Sequence, residues 1–134
     1  MKILITGASG FIGSFIVEEA LSQGFETWAG VRTSSSREYL QDNRIHFLNL
    51  DFSSEDSMVE ALRDHEFDYI VHSAGATKCL HKEDFYRINY EGTKNFVHAV
   101  LKTQTSLKRF VYMSSLSVFG DIREKQTHFE IDEN

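Results

Sequence analysis

The sequence predicts an α/β fold, a doubly wound parallel sheet with helices on its faces, formed by one domain over residues 1–134. Short apolar, β-branched runs alternate along the chain with segments of helical spacing, starting with KILIT at 2–6 and FIGSFIVEEALSQ at 11–23. Between these two, Gly7, Gly10 and Gly13 recur at every third position. The 134 residues, 41% of them hydrophobic, suffice for one core, because a chain of this size hides roughly two thirds of its unfolded surface. No repeat, linker or low-complexity stretch interrupts the pattern.

KILIT is apolar without alternation, as expected of a strand buried on both faces. In residues 11–23 the apolar side chains Phe11, Ile12, Phe15, Ile16, Ala20 and Leu21 have helical spacing, and Gly24 supplies a stop. FETWAGVR, 25–32, reads as the second strand. TSSSREYLQDN is a polar loop with one helical turn around Arg37–Gln41. IHFLNL, 45–50, is the third strand. In SSEDSMVEALRDH, Ser53 and Ser54 stand ahead of acidic residues as a capping signature, and Met58, Val59 and Leu62 continue as a helix. DYIVHS, 68–73, is the fourth strand. Residues 83–103 form a long helix with Phe85, Ile88, Phe96, Val97, Val100 and Leu101 as its apolar positions, and KRFVYM, 108–113, is the fifth strand.

Composition excludes several function classes. A net charge of −6 argues against a nucleic-acid partner, since such domains are usually basic. The six histidines and one cysteine show no metal-ligand spacing, so no metal is expected. The single Cys79 precludes an internal disulfide framework and fits a reducing compartment, which makes cytoplasmic the expected location. Met1-Lys2 and the apolar residues after them resemble a signal peptide only faintly, because glycines and Glu18-Glu19 interrupt the run. No stretch approaches the ~18 apolar residues of a membrane span. The chain also has no proline, against a usual share of roughly 5%.

The glycines join the first strand to the first helix. One glycine permits positive φ in a sharp turn, a second lets a phosphate approach backbone N–H groups, and a third lets helix and strand pack closely. The helix then directs its positive end at a pyrophosphate. In this strand–turn–helix setting the motif points to a dinucleotide.

The spacing is GxxGxxG, and TGASGFIG resembles the TGATGFIG of the extended short-chain dehydrogenase/reductase superfamily, the NAD(P)-dependent epimerases, dehydratases and reductases. The resemblance implies a Rossmann-type fold with strand order 3-2-1-4-5. It assigns Gly7, Ser9, Gly10, Phe11, Ile12 and Gly13 to the cofactor. It recurs along the chain. In LDF, 50–52, it implies that Asp51 accepts a hydrogen bond from the adenine amine, with the Phe52 backbone beside it; a helix cap is the alternative, for which Ser53 and Ser54 are better placed. HSAGAT, 72–77, resembles the family's HxAA or FAG segment, so Ser73, Ala74, Gly75, Ala76 and Thr77 line the groove, and His72 is read as a packed structural residue. NYEGT, 89–93, matches NxxGT: Asn89 is structural and neighbours the cofactor. Gly92, costing about 1 kcal/mol against Ala in a helix, is expected to pack closely against the sheet. SSLSVFGD, 114–121, resembles SSxxVYGD with Phe119 in place of Tyr. Aligning VFG with VYG puts Ser115 at the catalytic Ser/Thr and Ser114 beside the cofactor, the alternative for Ser114 being a structural role.

Cofactor choice rests on the end of the second strand. A carboxylate there would hold the ribose 2′-OH of NAD; this chain has VRTSSSR, with no carboxylate until Glu38. Arg32 can stack on adenine and pair with a 2′-phosphate. NADP is favoured over NAD, and the VR pattern resembles dihydroflavonol reductase-like members.

The superfamily's Tyr-x-x-x-Lys pair has one literal match, Tyr90 and Lys94. It overlaps NYEGT and precedes Ser115, whereas the family's pair follows that serine, so it is read as surface or packing. The resemblance therefore implies the N-terminal part of a longer enzyme that moves hydride between nicotinamide and a small carbonyl or alcohol substrate, a part inactive alone. The missing proline-containing approach to the tyrosine accounts for the absent prolines. A non-catalytic NADP(H)-binding sensor is the alternative, and a free-standing nucleotide-binding module a third reading. An exposed fifth strand and apolar face lead us to expect self-association, including a homodimer.

Overall fold

The computed structural model describes residues 1–115. Five parallel strands, β1 (Lys2–Thr6), β2 (Glu26–Val31), β3 (His46–Asn49), β4 (Tyr69–His72) and β5 (Arg109–Tyr112), form one sheet in the order β3-β2-β1-β4-β5. The register sets Ile5 opposite Ala29 on one side and Val71 on the other, with Val71 opposite Val111. This is the expected doubly wound Rossmann-type sheet. Its strands start and stop within a residue of the expected limits at most ends.

The faces follow from right-handed crossovers. Helix α1 (Phe11–Ser22) links β1 to β2 on the first face; α2 (Glu55–Leu62) and the helical run between β4 and β5 cover the second. Pleating sends alternate residues of each strand to each core. The first core holds Ile3, Ile5, Val17, Ala29 and Val31. The second holds Leu4, Met58, Leu62, Phe67, Ile70 and Phe96. Ser54 caps α2, its hydroxyl accepting from the Ser57 N–H at 3.2 Å. At the amino-terminal end of the sheet the half-buried Trp28 stacks on His46 at 4.8 Å and meets His65 at 4.5 Å, with Lys2 Nζ 5.2 Å from its ring.

Three expectations change. The buried stripe of α1 is Gly13, Val17, Ala20 and Leu21, while Phe11, Ile12 and Phe15 face outward and Phe11 is 80% exposed. Gly13 and Ala20 bring the helix close to the sheet, with Val17 and Leu21 packed beside them, and leave Phe11, Ile12 and Phe15 outside. The run over 83–103 is divided: α3 (Lys82–Phe85), a π-helical stretch at Tyr86–Glu91, and α4 (Gly92–Thr103). Gly92 packs against the segment after β3: a Cβ there would lie 3.3 Å from Phe52 Cβ. The crossover from β2 to β3 contains no helix; Leu40 N–H closes a single turn onto the Arg37 carbonyl at 2.9 Å. Among the described residues no helix is long and apolar enough to cross a membrane, and no cluster of three or more His, Cys, Asp or Glu is arranged to hold a metal.

Candidate functional site

From β1 the chain winds outward through α1 to β2, then returns across the sheet to β4 on the other side of β1. The carboxyl ends of β1 and β4 thus flank a topological switch point, where open α/β sheets leave a crevice for a ligand.

The glycine turn fills one wall. Gly7 has φ +67°, the left-handed region, and a Cβ on it would lie 2.7 Å from the Ala74 nitrogen and from the Ser73 carbonyl. Both demands require glycine. The Gly10 N–H donates to the Gly7 carbonyl at 2.9 Å, and the Ser14 N–H to that of Gly10 at 2.9 Å. A Cβ on Gly13 would collide with the Gly7 carbonyl, so the first turn of α1 lies directly on this loop. Gly10 caps α1 without a side-chain acceptor, and the first turn holds no acidic residue. The N–H groups of Phe11, Ile12 and Gly13 have no intrahelical acceptor, and with the helix dipole they favour an anion. Phe11 and Ile12 contribute here by backbone, since their side chains are exposed. Ser9 is half-buried in the same turn.

The opposite wall is the segment after β4. The Ser73 hydroxyl donates to the Thr6 carbonyl at 2.7 Å, and the Ala74 N–H to Thr6 Oγ1 at 3.4 Å. Asn89 projects from the π-helical stretch and clamps Ala76 from both sides of its peptide: Oδ1 accepts from the Ala76 N–H at 2.7 Å and Nδ2 donates to the Ala76 carbonyl at 3.0 Å. A Cβ on Gly75 would reach 3.2 Å from that Oδ1. Thr77 is exposed beyond the clamp.

His72 is buried below this wall. Nδ1 lies 2.7 Å from Thr6 Oγ1 and Nε2 lies 3.0 Å from Thr93 Oγ1. Its ring stacks on Phe96 and Tyr112. Burial pushes its pKa down from 6.5 to about 4, so the imidazole is neutral. A packed, neutral histidine matches the structural reading.

On the far side of β1, the Leu50 N–H donates to the Val31 carbonyl at 2.9 Å and brings Asp51 to the end of β2. Asp51 is exposed. Its Oδ1 accepts from the Ser53 hydroxyl at 2.6 Å and the Ser53 N–H at 3.0 Å, which hold its carboxyl below the usual range. It does not cap α2; Ser54 does. The half-buried Phe52 tilts over His72 and Phe96. Arg32 is exposed at the strand end; its N–H donates to Ser35 Oγ at 3.1 Å. No ion pair among the described residues takes up its guanidinium.

After β5 the Met113 N–H donates to the His72 carbonyl at 2.9 Å, and the exposed Ser114 and Ser115 follow at the same edge. Val118, Phe119 and Gly120, which set the alignment of Ser115, lie outside the described residues. Tyr90 and Lys94 are both exposed, and Tyr90 stacks on Tyr86 at 4.8 Å. Thr6 and Thr93 escaped the sequence reading. Each lies inside a recognised motif, but only the fold reveals that both meet His72.

The residues present fit a dinucleotide: a turn with no room for a Cβ at Gly7 or Gly13, an open helix terminus without carboxylates, and a backbone-lined wall opposite. Comparisons with known proteins agree. The NAD dependent epimerase/dehydratase family matches residues 3–133. A UDP-glucose 4-epimerase of Klebsiella pneumoniae is 30% identical over 132 residues, covering 90% of this chain and 94% of the relative. The Bordetella bronchiseptica enzyme WbmH in complex with NAD+ superposes with a TM-score of 0.79 at 26% identity, over 99% of this chain and 45% of that one. The UDP-Glc/GlcNAc 4-epimerase of Campylobacter jejuni gives 0.79 at 25% identity, over 89% and 38%. Of several other curated relatives the chain spans 35% to 42% of the length. By motif, fold and sequence, this chain belongs to the NAD-dependent epimerase/dehydratase family.

Proposed function

We propose that the chain is the cofactor-binding part of an oxidoreductase, epimerase or dehydratase that acts on a small carbonyl or alcohol substrate, and that it has no turnover alone. The observation that carries this reading is the glycine turn, with Gly7 at φ +67° laid against the β4 segment and the open end of α1 facing the crevice.

Bound there, the nicotinamide group would supply hydride exchange with a substrate carbon. The chain's own residues bind and orient. First-turn N–H groups of α1 hold the diphosphate, and the wall of Ser73, Ala74, Gly75, Ala76 and Thr77 carries the ribose and phosphates. Asp51, with the Phe52 backbone, receives the adenine. Asn89 keeps Ala76 in place. Ser114 stands beside the cofactor and the Ser115 hydroxyl donates to the substrate oxygen. The tyrosine and lysine that exchange its proton belong to the parent protein beyond these residues, consistent with the partial span of several relatives.

NADP is the preferred form, because exposed Arg32 at the end of β2 offers a 2′-phosphate a bidentate partner with no carboxylate beside it. Titration of the chain with NADPH and NADH by calorimetry tests both statements. NADPH is expected to bind more tightly, and Arg32→Ala to weaken it roughly tenfold or more, the loss of a charge-assisted bidentate pair, while sparing NADH. Equal affinities would remove the NADP preference; no binding of either would remove the site.

A further inference from the structure

The buried His72 side chain touches a residue of each of two recognised motifs, Thr6 beside the glycine turn and Thr93 of NYEGT. Thr6, on its Nδ1 side, precedes Gly7 and holds the β4 segment through its carbonyl and its hydroxyl. Thr93, on its Nε2 side, opens α4 four residues after Asn89, whose amide clamps Ala76. The end of β1 that enters the glycine turn and the first turn of α4 therefore meet on one imidazole at the end of β4.

We propose that His72 is a positioning residue for the dinucleotide site: through Thr6 Oγ1 and Thr93 Oγ1 it sets the separation of the end of β1, which enters the glycine turn, from the first turn of α4, which follows the stretch carrying Asn89, and so the cofactor affinity, without touching the cofactor. The inference rests on the reading of the site given above. As part of the proposal the ring is assigned the tautomer protonated at Nε2. In that tautomer Thr6 Oγ1, which accepts from the Ala74 N–H at 3.4 Å, gives its proton to Nδ1. Nε2 then carries the ring proton and donates to Thr93 Oγ1. Removing either hydroxyl leaves a buried imidazole nitrogen without its partner, and the ring is free to shift toward Phe96 or Tyr112. A clamp of this kind acts on a ligand because one end lies on β1, which leads into the glycine turn, and the other on α4, which continues from the stretch whose Asn89 holds Ala76.

The test uses Thr93→Val, which keeps the shape of the side chain and removes the hydroxyl, with Thr93→Ser as the restoring variant. NADPH and NADH affinities are measured beside thermal melting. We expect Thr93→Val to melt as a folded protein and to bind both dinucleotides about tenfold more weakly, the effect of one buried hydrogen bond, with Thr93→Ser restoring binding. Nitrogen NMR of the His72 ring should show a protonated Nε2 in the parent chain and lose that fixed tautomer in Thr93→Val. If Thr93→Val is folded and binds like the parent chain, the inference is overturned. If Thr93→Val does not fold, His72→Asn decides, since its amide reaches Thr6 but not Thr93; unchanged affinity there is equally fatal. Failure of the parent chain itself to bind either nucleotide overturns the site reading, a distinct result.

Discussion

The two faces of this sheet are covered unequally. On the second face, α2 and α4 close a core in which Leu4, Met58, Leu62, Ile70 and Phe96 are wholly inaccessible. On the first, α1 rests on small residues and turns Phe11, Ile12 and Phe15 away from the sheet, while Val71 is half-buried and Val111 on edge strand β5 is exposed. An open groove of about 420 Å³ runs from Ile3 and Phe25 to Phe11 and Phe15. One face is closed by packed helices; the other carries the uncapped end of α1. The contrast extends to the helix ends. α2 has its first turn satisfied by Ser54 and two acidic residues, whereas α1 has neither.

Breaking the closed face should cost most. Phe96→Ala is expected to destabilise by about 3–5 kcal/mol, the range for emptying a packed aromatic site, in urea unfolding. Phe15→Ala on the open face should stay within about 0.5 kcal/mol. Equal losses would dissolve the distinction.

Acid should act next, and on the same face. His72 has its folded pKa lowered from 6.5 to about 4 by burial, so the unfolded chain takes up the proton first. Its contribution is complete above pH 6.5, declines as pH falls toward 4, and amounts to about 3 kcal/mol at about 1.4 kcal/mol per unit. Among the described residues the side chains in contact with it are Thr6, Thr93, Phe52, Phe96, Phe110 and Tyr112, with no carboxylate, lysine or arginine among them. Stabilising carboxylates such as Asp42, lowered from 3.8 to about 2 by Arg44, lose their share at lower pH, so the two windows separate. A pH series of unfolding midpoints that is flat between 6.5 and 4 would contradict the neutral buried ring.

Smaller effects sharpen the contrast. Ser54→Ala should cost about 1 kcal/mol, the value of a serine cap, read as a lower melting temperature. Smallest in stability, Phe15→Ser should leave the melting temperature unchanged yet reduce the concentration-dependent mass seen by light scattering, because the open apolar face invites association. A chain that is monomeric at all concentrations would show that this face needs no cover.

Much of this was legible in the residues. Continuous apolar runs marked buried parallel strands, and the glycine period marked the turn, whose first member does take positive φ. The orientation of α1 was not legible: periodicity identifies a helix, but which stripe turns inward depends on how near the backbone must come. Here Val17, absent from the expected apolar positions, is buried and Phe11 is not. The π-helical stretch also carries no local mark, since its backbone pattern is set by where Asn89 must reach. Gln104 is similar. It looks like a surface residue after a helix, yet its amide accepts from the Phe67 N–H at 3.0 Å and donates to the His65 carbonyl at 2.9 Å. Such long-range pairs, like Thr6 with His72, exist only once the chain has folded.

The placement of Trp28 gives the molecule an optical gauge. It is the only tryptophan in the chain, and it sits four residues before Arg32, about 13 Å along the strand. If the proposed site takes a reduced nicotinamide dinucleotide, emission from this ring can pass to it by resonance, so binding would be readable in unlabelled protein from the colour of its fluorescence.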